Sequence, residues 1–134
     1  MPHLVILYTH NLEAETDMKA LCRTLADTML TVKDEAGKQV FPTGGTRVLA
    51  YPAAHFAVAD GKDDYAFVYL NLRMGRGRTA ETHQKAGEEL IAATRKHFAP
   101  VFDARHVGIT LQIDEGPEVF DAKHSNLHPL FSKL

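Results

Sequence analysis

Hydrophobic residues fall in short blocks along the chain, and their spacing switches between two periods. Residues 4–9 form an apolar run whose alternate sets, Leu4/Ile6/Tyr8 and Val5/Leu7/Thr9, are both largely apolar. That pattern predicts a strand covered on both faces. Over 12–30 the period lengthens: Met18, Leu21, Cys22, Leu25 and Met29 share one helical face, and Glu13, Asp17, Arg23 and Asp27 lie largely off it. Asn11 is the expected cap, and the acidic first turns suit the positive end of the helix dipole. Gly37, Pro42, Gly44 and Gly45 then predict a loop over 35–45.

A second strand is expected over 46–51, followed by an irregular connection over 52–62 with some strand character at Phe56-Ala57-Val58 and a turn at Asp60-Gly61. Residues 65–74 give the strongest strand signal, with Ala66/Val68/Leu70/Leu72 on one side and Tyr65/Phe67/Tyr69 on the other. Gly75 and Gly77 end it. Thr79 opens a second helix expected to reach about residue 98, with Ala86, Leu90, Ala93, His97 and Val101 near one stripe and Pro100 limiting its length. Val107, Ile109, Leu111 and Ile113 alternate with Gly108, Thr110 and Gln112, which predicts a last strand with one apolar face. Gly116-Pro117 stops that strand, and a short turn is expected within 127–131.

The order strand, helix, strand occurs twice. Its simplest assembly is an α+β fold in which two βαβ units form a four-stranded sheet with two helices on one face. Two helices can cover only one side of the sheet, yet the first and third strands are apolar on both. A second copy of the chain is the expected cover for the other side, with the chain's own loops and tail as the alternative.

The chain has 134 residues, enough for one domain with a core, and a single domain over 1–134 is expected. A net charge of −2 offers no global attraction to nucleic acid or to anionic membrane, and basic clusters interleaved with aromatics are missing. Cys22, the single cysteine, excludes an internal disulfide and a cysteine metal cluster. The eight histidines show no zinc-protease spacing and read as surface or structural residues, so neither metal nor cofactor is expected. The start of the chain lacks a signal-peptide pattern, and no stretch approaches the length of a membrane helix, so a cytoplasmic protein is expected.

Two places carry candidate chemistry. Pro2 directly precedes a buried strand, and removal of Met1 would leave it a secondary amine. An α-amino group titrates near about 7.7–8.0, and apolar surroundings or cationic neighbours lower that value, which makes a base usable at neutral pH. The plainer reading is a proline that merely begins a strand. Arg73, Arg76 and Arg78 lie where a strand passes through glycines into a helix, and Arg47 follows Gly44-Gly45 at the head of another strand. Guanidinium and backbone N–H groups in such places favour carboxylate or phosphate, although most arginines are solvated surface charges.

Taken together these residues resemble the 5-carboxymethyl-2-hydroxymuconate isomerase family of the tautomerase superfamily. The likeness runs through Met1-Pro2-His3, Phe41-Pro42 to Arg47, Ala59-Asp60-Gly61 and Asp64 to Val68. It continues at Gly75, Gly77-Arg78, Gln84 to Glu88, Asn126, His128 and Leu130-Phe131. The resemblance implies a tautomerase (MIF-like) fold, a homotrimer with sites near subunit boundaries, and a cofactor-independent isomerase of carboxylated dienols from aromatic-compound degradation. It implies Pro2 as catalytic base, Arg78 as the holder of a substrate carboxylate, and Arg47 as a weaker match for a second. The alternative is a trimeric binding or scaffold protein that keeps the fold without turnover.

Overall fold

The computed structural model describes residues 2–131. Among them, four strands pair into one mixed sheet: β1 (His3–Thr9), β2 (Val48–Ala53), β3 (Ala66–Met74) and β4 (Val107–Glu115). Helices α1 (Met18–Thr31) and α2 (Ala80–Ala104) connect them as two βαβ units. The sheet order is β2-β1-β3-β4, with β1 parallel to β2, β3 parallel to β4, and the central pair β1/β3 antiparallel. The α+β architecture expected from the hydrophobic pattern is therefore present.

Alternation within the two central strands decides where the core sits. Leu4, Ile6 and Tyr8 of β1 and Ala66, Val68, Leu70, Leu72 and Met74 of β3 are buried, together with Leu21, Leu25 and Met29 of α1 and Ala86, Leu90 and Phe98 of α2. The intervening residues point the other way, and there Leu7, Leu49, Tyr51 and Phe67 remain 46%, 41%, 50% and 36% exposed. Register places Leu7 beside both Tyr51 and Tyr69, so these side chains form one apolar patch. Phe67 lies across Gly108, where a Cβ would come within 2.8 Å of the ring.

Several boundaries differ from the expected ones. The first helix starts at Met18, capped by Asp17 accepting from the Ala20 N–H at 3.0 Å, and its first turn holds no acidic residue. Asn11, the expected cap, sits in a 3₁₀ turn (His10–Leu12) and donates to Asp64 Oδ1 and to the Tyr65 carbonyl. A long-range bond thus takes the side chain that a local cap would have used. The second helix passes through Pro100 and ends six residues beyond the expected stop; Phe98 and Val101, buried on either side of the proline, offset the lost N–H bond. Its buried stripe is Thr82, Ala86, Leu90, Thr94, Phe98 and Val101, while His97 turns aside to Thr16 at 2.7 Å. Strand β2 includes Pro52, which an edge strand tolerates, and residues 56–58 belong to no strand.

Candidate functional site

Strand register assembles the site. His3 pairs with Arg73 across the antiparallel β1/β3 interface, so the residue before His3 lies beside the end of β3. The chain then turns through Gly75 and Gly77, the latter at φ +106, a conformation that favours glycine, and enters α2. Thr79 caps α2 by accepting from the Thr82 N–H. Both threonine hydroxyls donate to Glu35, at 2.9 and 2.7 Å, which fastens the loop after α1 to the start of α2. These bonds hold the Glu35 carboxyl below the usual carboxylate range, with the Thr82 hydroxyl the largest cause.

Pro2 is buried at the point where these segments meet. It lines a cavity of about 440 Å³ together with Phe41 and Pro42 from the loop, Met74 and Gly75 from the end of β3, and Arg78. The tail closes the opposite wall with Lys123, Ser125, His128 and Pro129. Arg78 donates through Nη2 to the Val40 carbonyl at 2.6 Å, which fixes the guanidinium in the wall. No carboxylate lines this cavity among the described residues. The tail is seated tightly: a Cβ at Gly44 would lie 2.6 Å from the Cα of His128.

A second cavity, about 590 Å³, adjoins the first and shares Gly45, Met74, Lys123 and Ser125 with it. Its wall is ionic, with His3, Arg47, Arg73 and His124 facing Glu118 and Asp121. Arg47 Nε donates to His3 Nδ1 at 2.9 Å, and its Nη1 donates to the Gly45 carbonyl. Burial, followed by the charges of Arg47 and Arg73, holds the His3 imidazole below its usual value. Neutral His3 with the proton on Nε2 is the form that accepts from Arg47.

The sequence profile of the 5-carboxymethyl-2-hydroxymuconate isomerase family matches residues 2–131, which include every residue of both cavities. The chain belongs to this isomerase family. It is 31% identical over 131 residues to the 5-carboxymethyl-2-hydroxymuconate Delta-isomerase of Escherichia coli, covering 98% of this chain and 99% of that protein. A crystal structure of a 5-carboxymethyl-2-hydroxymuconate delta-isomerase is 58% identical, covers 99% of this chain and 94% of its own, and superposes with a TM-score of 0.96. A 5-carboxymethyl-2-hydroxymuconate isomerase from Deinococcus radiodurans R1 is 34% identical, covers 98% of this chain and 95% of its own, and gives 0.87. A macrophage migration inhibitory factor-like protein from Entamoeba histolytica, 12% identical with a TM-score of 0.52, shares the fold alone.

Within this isomerase-family frame the expected site residues separate. Pro2 and Arg78 line one cavity, whereas Arg47 and Arg73 line its neighbour. Arg76 lines neither and donates to the Gly116 carbonyl. Met1, on which the state of the Pro2 nitrogen depends, lies outside the described residues. His3, His124 and His128, expected to be surface or structural, line the cavities. The tail's contribution through Lys123 and Ser125 has no signal in the pattern, since those residues are exposed and distant in sequence from Pro2.

Proposed function

We propose that the chain isomerises 5-carboxymethyl-2-hydroxymuconate or a closely similar carboxylated dienol, in the degradation of aromatic compounds, with the Pro2 amine as its base. The observation that carries this reading is the burial of Pro2 in the cavity that also holds Arg78 and no carboxylate among the described residues. With Met1 cleaved, the Pro2 nitrogen is a secondary amine. The apolar groups Phe41, Pro42 and Met74 and the Arg78 guanidinium both disfavour its protonation. The neutral amine takes the enol O–H proton. A C=O forms at C2, the conjugated double bonds shift by one position, and the same nitrogen returns the proton at C5, so atoms and electrons balance without a co-reactant. Arg78 holds the carboxylate next to the reacting oxygen, and Arg47 holds a more distant one.

In this reading residues 1–134 work as one tautomerase-like domain in the cytoplasm, and three copies assemble through the apolar sheet face. The uncovered patch of Leu7, Leu49, Tyr51 and Phe67 supports that assembly. Among the described residues no helix is long and apolar enough to cross a membrane. A scaffold without turnover has no observation in its favour. The test pairs the intact mass of natively expressed protein with an ultraviolet assay on the dienol and sedimentation of the assembly. A mass lacking one methionine, rapid loss of dienol absorbance and a trimer are expected. Retained methionine with full turnover overturns Pro2 as base, and an active monomer overturns the assembly.

A further inference from the structure

We propose that Lys123, carried by the tail, is a substrate-binding residue that makes the second cavity a carboxylate subsite and sets the preference for a substrate with an additional carboxylate arm. The inference rests on the function proposed above and adds a residue and a specificity to it.

Three observations carry it. Lys123 is the one permanent cation among the described residues that lines both cavities, so it stands at the passage between the Pro2 chamber and the ionic one. The charge of the combined site is positive: Arg47, Arg73, Arg78 and Lys123 face only Glu118 and Asp121, before any histidine protonation. The tail that carries Lys123 is seated at His128 against the Gly44 backbone, where a Cβ would lie 2.6 Å from the His128 Cα. The Lys123 ammonium pairs with Asp121 at 2.5 Å, and both side chains are about half exposed (50% and 53%). An exposed pair of this kind is screened by water and yields to an incoming carboxylate.

The substrate's chemistry fits this division. A 2-hydroxymuconate carries a carboxylate at each end of its diene, and a 5-carboxymethyl group adds a third on a flexible arm. One carboxylate sits on Arg78 beside Pro2. The arm extends past Lys123 toward Arg47 and Arg73, where Lys123 acts as a compact point charge with rotatable donors.

The test compares Lys123→Met and Lys123→Arg with the parent protein on two substrates, 5-carboxymethyl-2-hydroxymuconate and 2-hydroxymuconate. Calorimetric binding of a saturated tricarboxylate of the same skeleton, and of its dicarboxylate counterpart, provides a second readout. The expected result is a loss in Lys123→Met up to about tenfold larger for the tricarboxylate than for the dicarboxylate. The loss falls on KM, and Lys123→Arg recovers it. Equal losses on both substrates, or no loss, overturn the proposal. If the parent protein turns over neither dienol, the function proposed above fails. The calorimetric preference for three carboxylates over two, and its dependence on Lys123, then decides the subsite by itself.

Discussion

The two cavities share a wall yet differ in kind. Around Pro2 the lining is largely apolar, with Phe41, Pro42, Met74 and Pro129, the Arg78 guanidinium pinned to a backbone carbonyl, and Lys123, Ser125 and His128 on the tail side. Next door, His3, Arg47, Arg73 and His124 stand opposite Glu118 and Asp121. A charge acts more strongly where water and compensating charges are few, and more weakly where opposite charges already balance it. In the proposed mechanism the apolar chamber is the place for proton transfer, and the ionic one the place where a substrate is held and selected.

Arginine substitutions break this comparison most sharply. Arg78→Ala is expected to lower kcat/KM by about a hundredfold, because it removes a charge-assisted bond in the drier chamber. Arg47→Ala is expected to cost about tenfold or less, mainly in KM. Steady-state kinetics on both variants check the order, and an equal or reversed ranking contradicts the division of roles.

Gly44→Ala acts on the shared wall alone. The new Cβ would meet the His128 backbone at 2.6 Å and displace the tail from both cavities. A rise in KM of less than about tenfold is expected, with the thermal midpoint nearly unchanged because Gly44 is outside the core. A large fall in melting temperature would show instead that the tail holds the fold together.

The smallest effect sharpens the ionic side. Burial and the Arg47 and Arg73 charges hold the His3 imidazole below its usual value, so the folded chain binds fewer protons there than the unfolded chain. The contribution of His3 to stability is complete above the usual imidazole value of about 6.5 and is lost as pH falls through the lowered one. Protonation also removes the acceptor for Arg47 Nε. KM is therefore expected to rise by a few-fold (roughly two- to fivefold) on acidification below about 6.5, and His3→Asn, which keeps an acceptor but does not titrate, should flatten that dependence. A KM profile that is identical in the variant removes His3 from the account.

Much of this was legible in the residues. The apolar runs of β1 and β3, the alternation in β4 and the stripe Met18, Leu21, Leu25 and Met29 pointed to a sheet with helices on one face as the simplest assembly, and the glycines after β3 marked the turn that delivers Arg78. Local patterns misled where a distant partner won: Asn11 serves Asp64 and Tyr65 rather than a helix start, and α2 continues through Pro100 because its neighbours are buried. The tail was silent for a related reason. Nothing in the exposed residues around Lys123 and His128 encodes that they close a cavity around a proline at the other end of the chain. The separation of Arg47 from Arg78 was equally invisible, since it follows from distant tethers, Arg47 to His3 and Arg78 to the Val40 carbonyl.

The most direct test of Pro2 as base is a titration of its amine by nuclear magnetic resonance in protein carrying isotope-labelled proline, set beside the acid limb of kcat/KM. One shared midpoint is expected, below the about 7.7–8.0 of an ordinary α-amino group. Two midpoints that disagree, or full turnover by protein whose Pro2 nitrogen is still an amide, would contradict it.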